Sequence, residues 1–337
     1  MNLPQKGDYI MKIGTIGTGS IVETFLDAVK EVDNVQCTAV YSRKRETGEI
    51  LATKYNVKQI YTDYNLLLKD ENVNFIYIAS PNSMHYEYAL KALQSGKNVI
   101  CEKPFTSTVE EVKTLINLAK EKNLFLFEAI TTLHLPNYIK IKEKISSLGQ
   151  LKIVQCNYSQ YSSRYDKLLA GEITNIFSPA FSGGSLADVN IYNLHFVTGL
   201  FGKAKEVKYI ANIAENGIDT SGIAILKYDD FICECTGAKD SESPSFAIIQ
   251  GTKGYIKLNG PVNRCISFEV GIGNKIETYN EQKFSNRMVY ELIDFENIFN
   301  NNDLEKSHKL LEHSLNVIET AVTARKDAGI VFAADNK

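Results

Sequence analysis

The chain has 337 residues, 44% hydrophobic and 23% charged, with a net charge of −3. Those fractions belong to an ordinary globular protein, and the length leaves room for two domains with their own cores. No long basic block is present, so nucleic acid is not an expected partner.

Apolar runs are strand-sized and fall short of the ~18 residues that a membrane span needs, so no membrane association is expected either. There is no signal-peptide pattern, and the polar start Met1–Ile10, ahead of a second methionine at Met11, reads as a loose extension outside the fold. The six cysteines, Cys37, Cys101, Cys156, Cys233, Cys235 and Cys265, are scattered through apolar, strand-like contexts. They read as reduced buried thiols, which suits a cytoplasmic protein. Cys233 and Cys235 share one strand face, but no second Cys/His pair stands nearby. His308 and His313 do not share a helix face, and His134 stands alone before Pro136, so no metal site is expected.

Along the chain, Lys12–Ile16 is a strand, Ile21–Lys30 a helix, Val35–Tyr41 a strand and Arg45–Tyr55 a helix. Phe75–Ala79 (FIYIA) and Asn98–Cys101 are strands, separated by a helix with Tyr86, Ala89, Leu90 and Leu93 apolar and Gly96 closing it. Ser107 and Glu110 form a capping box before Val112, Leu115, Ile116 and Ala119; Leu124–Phe127 follows as a strand. Strands alternating with helices predict a doubly wound parallel sheet, the α/β Rossmann architecture. After a helix near Tyr138–Ser146 the pattern changes. Leu151–Tyr161, Glu206–Asn212, Ser221–Tyr228, Phe231–Gly237, Ser245–Gly251 and Gly254–Leu258 read as strands, several joined by short turns. This predicts an α+β domain with a large, mainly antiparallel open sheet. The domains expected are an extension at 1–10, a dinucleotide-binding domain at 11–128, and a substrate and oligomerisation domain at 129–337. The last helix, apolar at Leu304, Leu311, Leu315, Ile318 and Val322, is free to pack back on the first domain.

Directly after the first strand comes Gly17-Thr18-Gly19-Ser20-Ile21-Val22. Gly17 permits a tight strand-to-helix turn. Gly19 lets a pyrophosphate reach the backbone, and the helix start at Ser20 and Ile21 supplies free N–H groups. Val22 stands where the full fingerprint has a small residue. The second strand ends in Tyr41-Ser42-Arg43-Lys44-Arg45, with no carboxylate to accept a ribose 2′-hydroxyl. Ser42, Arg43 and the cations beside them can hold a 2′-phosphate, so NADP(H) is favoured and NAD(H) is possible.

Further on, Pro81-Asn82-x-x-His85, Gly96-Lys97-Asn98-Val99, Glu102-Lys103-Pro104, Glu128-Ala129, Pro136, Gly183-Gly184-Ser185-Leu186-x-Asp188-x-x-x-Tyr192 and the helix Ser314–Lys326 form a specific combination. Together they resemble the glucose–fructose oxidoreductase/inositol dehydrogenase (Gfo/Idh/MocA) family over nearly the whole chain, nearest in motif to its dihydrodiol dehydrogenase-like branch. The resemblance implies an oxidoreductase that moves a hydride between a nicotinamide cofactor and a hydroxyl or carbonyl carbon of a sugar, polyol or related small molecule. It implies that Ser80, Pro81, Asn82, His85 and Glu102 run along the cofactor. Lys103 would sit beside the nicotinamide, where an ammonium stabilises a developing alkoxide.

Asp188, Tyr192 and His195 follow the spacing i, i+4, i+7, one polar stripe on a helix. In the family, the position four after the aspartate serves as acid/base, so Tyr192 is favoured. Its phenol titrates near ~10 and needs a neighbouring cation such as Lys103. His195 is the rival, since imidazole titrates near ~6.5, and Asp188 would orient the pair or the substrate. Two departures stand out: Leu133 where many relatives have arginine, and Asn190 in place of a glycine. The Tyr- and Ser-rich loop Tyr158–Phe181 either holds a polyol or is a surface loop. The rival functions are a dinucleotide-binding regulator without catalysis, and a transient-oxidation enzyme that eliminates or cleaves. A bare sheet face in the second domain would be covered by a second copy, giving a homodimer or dimer of dimers.

Overall fold

The computed structural model describes Tyr9–Asn336. Met1–Asp8, most of the expected extension, lies outside the described residues. Tyr9 is not loose: its N–H donates to Asn300 Oδ1 at 3.0 Å and its ring meets Phe299 edge-on. The chain forms two compact units. One holds the residues up to Thr106, Glu110–Ala129 and Phe284–Glu312; the other holds Ser107–Val109, Ile130–Lys283 and the residues from His313 on.

The first unit begins with β1 (Met11–Ile16), α1 (Ser20–Val29), β2 (Val35–Tyr41), α2 (Arg45–Tyr55), β3 (Gln59–Tyr61), α3 (Tyr64–Lys69) and β4 (Phe75–Ile78). It continues with α4 (His85–Gln94), β5 (Asn98–Glu102), α5 (Val109–Lys122) and β6 (Leu126–Ala129). The strands form one parallel sheet in the order β3-β2-β1-β4-β5-β6. FIYI in β4 is buried throughout, as a strand covered on both faces must be. The order reverses between β1 and β4, which opens a crevice at the carboxyl ends of those strands. Strand β3 and helix α3 had no counterpart in the sequence reading. β3 has only 3 residues, too few to show a period.

In the second unit α6 (Pro136–Lys144), β7 (Leu151–Ser159), α7 (Ser163–Leu169) and α8 (Ile191–Phe201) precede β8 (Glu206–Ile213), β9 (Asp219–Lys227) and β10 (Ile232–Ala238). Then come β11 (Phe246–Gly251), β12 (Gly254–Asn259), β13 (Phe268–Ile272) and β14 (Lys275–Tyr279). The eight-stranded sheet runs β14-β13-β12-β11-β7-β10-β9-β8 and is antiparallel except where β7 lies parallel to β10. That exception follows from the long excursion through α7, α8, β8 and β9 between them. β13 and β14 were not foreseen; β14 is an exposed edge strand and carries no buried alternation to read.

One face of this sheet is buried, with Val154, Cys156, Leu226, Cys233, Cys235 and Ile249 pointing into it. The other presents Ile153, Ile210, Ile223, Ile225 and Ile232 to solvent, Ile210 being 77% exposed. All six cysteines are free thiols; Cys37 is half-buried and the other five are buried.

The chain ends with α9 (Met288–Asn300) and α10 (Leu304–Asp327). α9 belongs to the first unit because Met288, Val289, Leu292, Phe295 and Ile298 complete its core. Phe295 stacks on Phe127 of β6 with ring centroids 4.3 Å apart. Phe295→Ala is expected to lower the unfolding free energy by about 3–5 kcal/mol, read as a fall in denaturant midpoint at unchanged slope. A loss under ~1 kcal/mol would show that α9 does not belong to that core.

Candidate functional site

The first unit carries a cradle for an anion at the β1–α1 turn. Gly17 has φ +108°, and a Cβ there would lie 2.6 Å from the Ala79 carbonyl oxygen, so no side chain is admitted. At Gly19 a Cβ would meet nothing within 4 Å, so the space over the turn is open. Gly19 is also the N-cap of α1 and offers no side-chain cap. The first N–H groups, at Ser20 and Ile21, therefore keep their donors for an incoming oxyanion. Val22 is fully buried in the core, so the larger third residue is accommodated by packing. These residues fit the pyrophosphate of a dinucleotide.

At the end of β2, Ser42 is buried. Its hydroxyl pairs with Thr47 Oγ1 at 2.6 Å and accepts from Lys44 N at 3.3 Å, bracing the start of α2. Arg45 is tied to Glu49 at 2.9 Å, while Arg43 and Lys44 stand exposed. Of the three cations noted in the sequence, Arg43 and Lys44 are the better placed to meet a phosphate.

Lys103 follows β5 in a turn whose Lys103–Pro104 peptide is cis. The turn is held from two sides. Phe105 N donates to Glu128 Oε1 at 3.1 Å. His85 is 1% exposed, with Nδ1 2.9 Å from the Pro104 oxygen and Nε2 2.9 Å from the Ser80 oxygen. Burial pushes the His85 pKa down and outweighs the two carbonyls that pull it up; the Lys103 charge acts in the same direction as burial. His85 thus sits between the Ser80-Pro81-Asn82 segment and the lysine turn, with a backbone carbonyl oxygen facing each ring nitrogen. Glu102 also faces inward. It is buried, accepts from Tyr77 OH at 2.7 Å, and burial raises its pKa. Glu291 of α9, which no motif singles out, is fully buried with both carboxylate oxygens unpartnered. Burial and the Glu102 charge push its pKa well up.

In the second unit the Gly183-Gly184 pair has a steric cause. A Cβ on Gly183 would sit 2.2 Å from the Ile176 oxygen, and one on Gly184, at φ +99°, would sit 2.0 Å from Asp219 Oδ1. Asp219 is the anchor here and was not foreseen. It is 1% exposed, and its Oδ2 accepts from Leu186 N at 2.6 Å and from Tyr209 OH at 2.8 Å. Burial raises its pKa to about 6. Leu186–Asn190 is a π-helical turn leading into α8. Asn190 is buried, donates to the Cys235 oxygen at 2.8 Å and packs where Gly237 has no side chain.

The stripe Asp188, Tyr192, His195 does not share one environment. Asp188 accepts from the ammonium of Lys239, a residue the sequence reading passed over. The Tyr192 ring lies 5.9 Å from the Tyr158 ring. His195 is fully buried, with Nδ1 2.9 Å from His313 Nε2. His313, discounted with His308 as a metal ligand, is held well below the usual imidazole pKa by burial, then by His195, His134 and Lys142. The described residues contain no group of three or more His, Cys, Asp or Glu side chains that could hold a metal. A cavity of about 590 Å³ lies among Tyr165, Ile173, Asn212, Asn216, Thr220 and Asp240, drawing in part on the Tyr- and Ser-rich loop. It does not include Asp188 or Tyr192.

Comparison with known proteins gives a consistent picture. Residues 11–129 match the model of an oxidoreductase family with an NAD-binding Rossmann fold, and residues 138–257 match a GFO/IDH/MocA C-terminal domain. The chain is 34% identical to an NADP(+) scyllo-inositol 2-dehydrogenase of Bacillus subtilis, over 97% of this chain and 99% of that one. It is 27% identical to a trans-1,2-dihydrobenzene-1,2-diol dehydrogenase of Danio rerio, over 74% of each. A 3-ketoreductase from Actinomadura kijaniata, solved with NADP and TDP-benzene, superposes with a TM-score of 0.81 at 18% identity, over 94% of this chain and 98% of that one. At that identity the superposition speaks for the fold. No helix of the described residues is long and apolar enough to cross a membrane.

The histidine pair sets a pH test. His313 has a folded pKa below the ~6.5 of an unfolded histidine, so its contribution is present above pH ~6.5 and is lost as pH falls below it. His313→Gln is expected to flatten the dependence of unfolding free energy on pH between about 6.5 and 5, by up to ~1.4 kcal/mol per pH unit. Denaturant titrations of parent and variant across that range check it; equal slopes would refute the neutral buried imidazole.

Proposed function

The chain belongs to the GFO/IDH/MocA oxidoreductase family, and on that premise we propose that it is an NADP(H)-dependent dehydrogenase or reductase of a small polyol, sugar or related hydroxyl compound. One observation carries the reading. In a single parallel sheet, the open Gly17–Gly19 turn follows β1 and the braced Lys103 turn follows β5, both at strand carboxyl ends. Ligands gather at that end of an open α/β sheet. A bound nicotinamide supplies or accepts the hydride. The Lys103 ammonium stabilises negative charge on the substrate oxygen as it develops. Tyr192 exchanges the proton, and Asp188 orients the substrate hydroxyls. The His195–His313 pairing and the burial of His195 favour Tyr192 for that exchange. Arg43 is exposed at the end of β2 and supports NADP(H), as do the NADP-linked names of the relatives.

The open isoleucine face of the second sheet supports a homodimer, or a dimer of dimers, with this face as the contact. A cytoplasmic location fits the free thiols.

Three measurements test these statements. Lys103→Ala should retain NADP(H) binding, measured by fluorescence titration, and lose at least about 10²-fold in kcat on scyllo-inositol or another polyol that the parent oxidises. Near-normal turnover would defeat the mechanism. Arg43→Ala should raise the Michaelis constant for NADP(+) about tenfold, with little change for NAD(+); a parent that prefers NAD(+) defeats the cofactor reading. Ile223→Lys together with Ile225→Lys should halve the mass seen in sedimentation equilibrium, and an unchanged mass would reject the sheet face as the contact.

A further inference from the structure

We propose that Lys239 is a positioning residue for the reaction: its ammonium holds the Asp188 carboxylate ionised and in one orientation at the entry to α8, and so sets the pH range of catalysis. The proposal rests on the oxidoreductase reading above.

The pair differs in kind from most ion pairs of this chain. Lys30–Asp27 joins side chains 56% and 55% exposed, whereas the side chains of Lys239 and Asp188 are 7% and 27% exposed. An exposed pair contributes little. A buried ammonium needs a hydrogen-bonded counter-charge, and removing one partner leaves the other charge uncompensated. Lys239 is also fixed along its backbone. Its N–H donates to the Thr220 oxygen at 2.9 Å and its carbonyl accepts from Ser162 N at 3.0 Å, so the start of β9 and the entry to α7 both hold it. On the other side, Asp188 N donates to the Gly184 oxygen at 3.0 Å within the turn that Asp219 anchors through Leu186. Both ends of the pair are therefore placed by backbone that has other reasons to be where it is.

The other ionisable groups of these elements have their own partners. Asp240, next to Lys239, accepts from Thr220 and Ser221 hydroxyls at 2.7 Å each. Asp219 is taken up by Leu186 N and Tyr209 OH. Tyr192, one turn beyond Asp188, lies against Tyr158 of β7. Against Asp188 the structure sets the Lys239 ammonium as a hydrogen-bonded, largely buried counter-charge. Its effect on the reaction runs through that carboxylate and not through contact with substrate.

The test uses full-length parent, Lys239→Met, Lys239→Arg, Asp188→Asn and the Lys239→Met/Asp188→Asn double variant, with NADP(+) and scyllo-inositol as the first probe. Lys239→Met should lose about tenfold or more in kcat with the Michaelis constant for NADP(+) unchanged, and its acid limb should move to higher pH. Lys239→Arg should restore kcat to within about threefold of the parent. The double variant should be no slower than Asp188→Asn, because a residue acting through another adds nothing once that other is gone. A parental pH profile in Lys239→Met, or losses that multiply in the double variant, overturns the proposal. If the parent turns over no polyol with NADP(+), the oxidoreductase reading fails by itself, and carbon-13 NMR of aspartate-labelled protein decides Lys239 separately. The Asp188 carboxyl signal, identified by its loss in Asp188→Asn, should titrate at higher pH in Lys239→Met; an unmoved midpoint overturns the proposal. If Lys239→Met does not fold, the same titration in Lys239→Arg decides: a parental midpoint supports the proposal and a shifted one overturns it.

Discussion

The first unit depends on one close approach. At the turn after β1 the backbone of Gly17 runs against the carbonyl of Ala79, which follows β4, too near for any Cβ. That approach joins the ends of two adjacent strands at the point where the strand order reverses. It also aims the uncapped start of α1 over open space. A helix start with unspent N–H groups is where an anion is stabilised. The rest of the unit makes that geometry rigid: the core around Val22 and Phe25 below it, Tyr77 stacked on Phe25 at 3.6 Å, and α9 closing the layer.

The lysine turn follows the same logic of bracing from behind. Glu128 and His85 hold the N–H and the carbonyl of the one peptide group that follows Pro104, and neither side chain has to touch a ligand to matter. This changes how the Pro-Asn-x-x-His motif is understood in this chain. The histidine lies between two segments, each ring nitrogen 2.9 Å from a backbone carbonyl oxygen. Burial pushes its pKa down. The second unit repeats the device with different chemistry. Asp219 fixes the turn before α8, Asn190 and Asn193 fix that helix to β10, and Lys239 fixes the aspartate.

The functional proposal is economical because each group is asked to do one thing. In it the glycine turn would bind, the lysine would stabilise charge and the tyrosine would exchange a proton, while buried polar contacts brace each turn. Tyr192 and His195, which spacing alone left as rivals, meet different partners, a tyrosine ring for one and a histidine for the other. Its ring nitrogen on His313 gives His195 a packing partner 118 residues along the chain.

The amino-acid sequence by itself determined the order of strands and helices in most of the first unit, the phosphate turn, the lysine turn and the Gly-Gly…Asp…Tyr segment. Those are local signals: a glycine where φ must be positive or a Cβ has no room, a proline after a lysine, and apolar runs whose period matches one element. The short strand β3, the exposed edge strand β14 and the membership of α9 in the first core lacked such signals. Their place comes from neighbours that lie far away along the chain. The same holds for Asp219, Lys239, Glu291 and His313. A single aspartate or lysine among 40 acidic and 37 basic residues is indistinguishable until the fold buries it and supplies its partner. Burial and pairing are properties of three-dimensional proximity, so only the tertiary structure could pick these residues out.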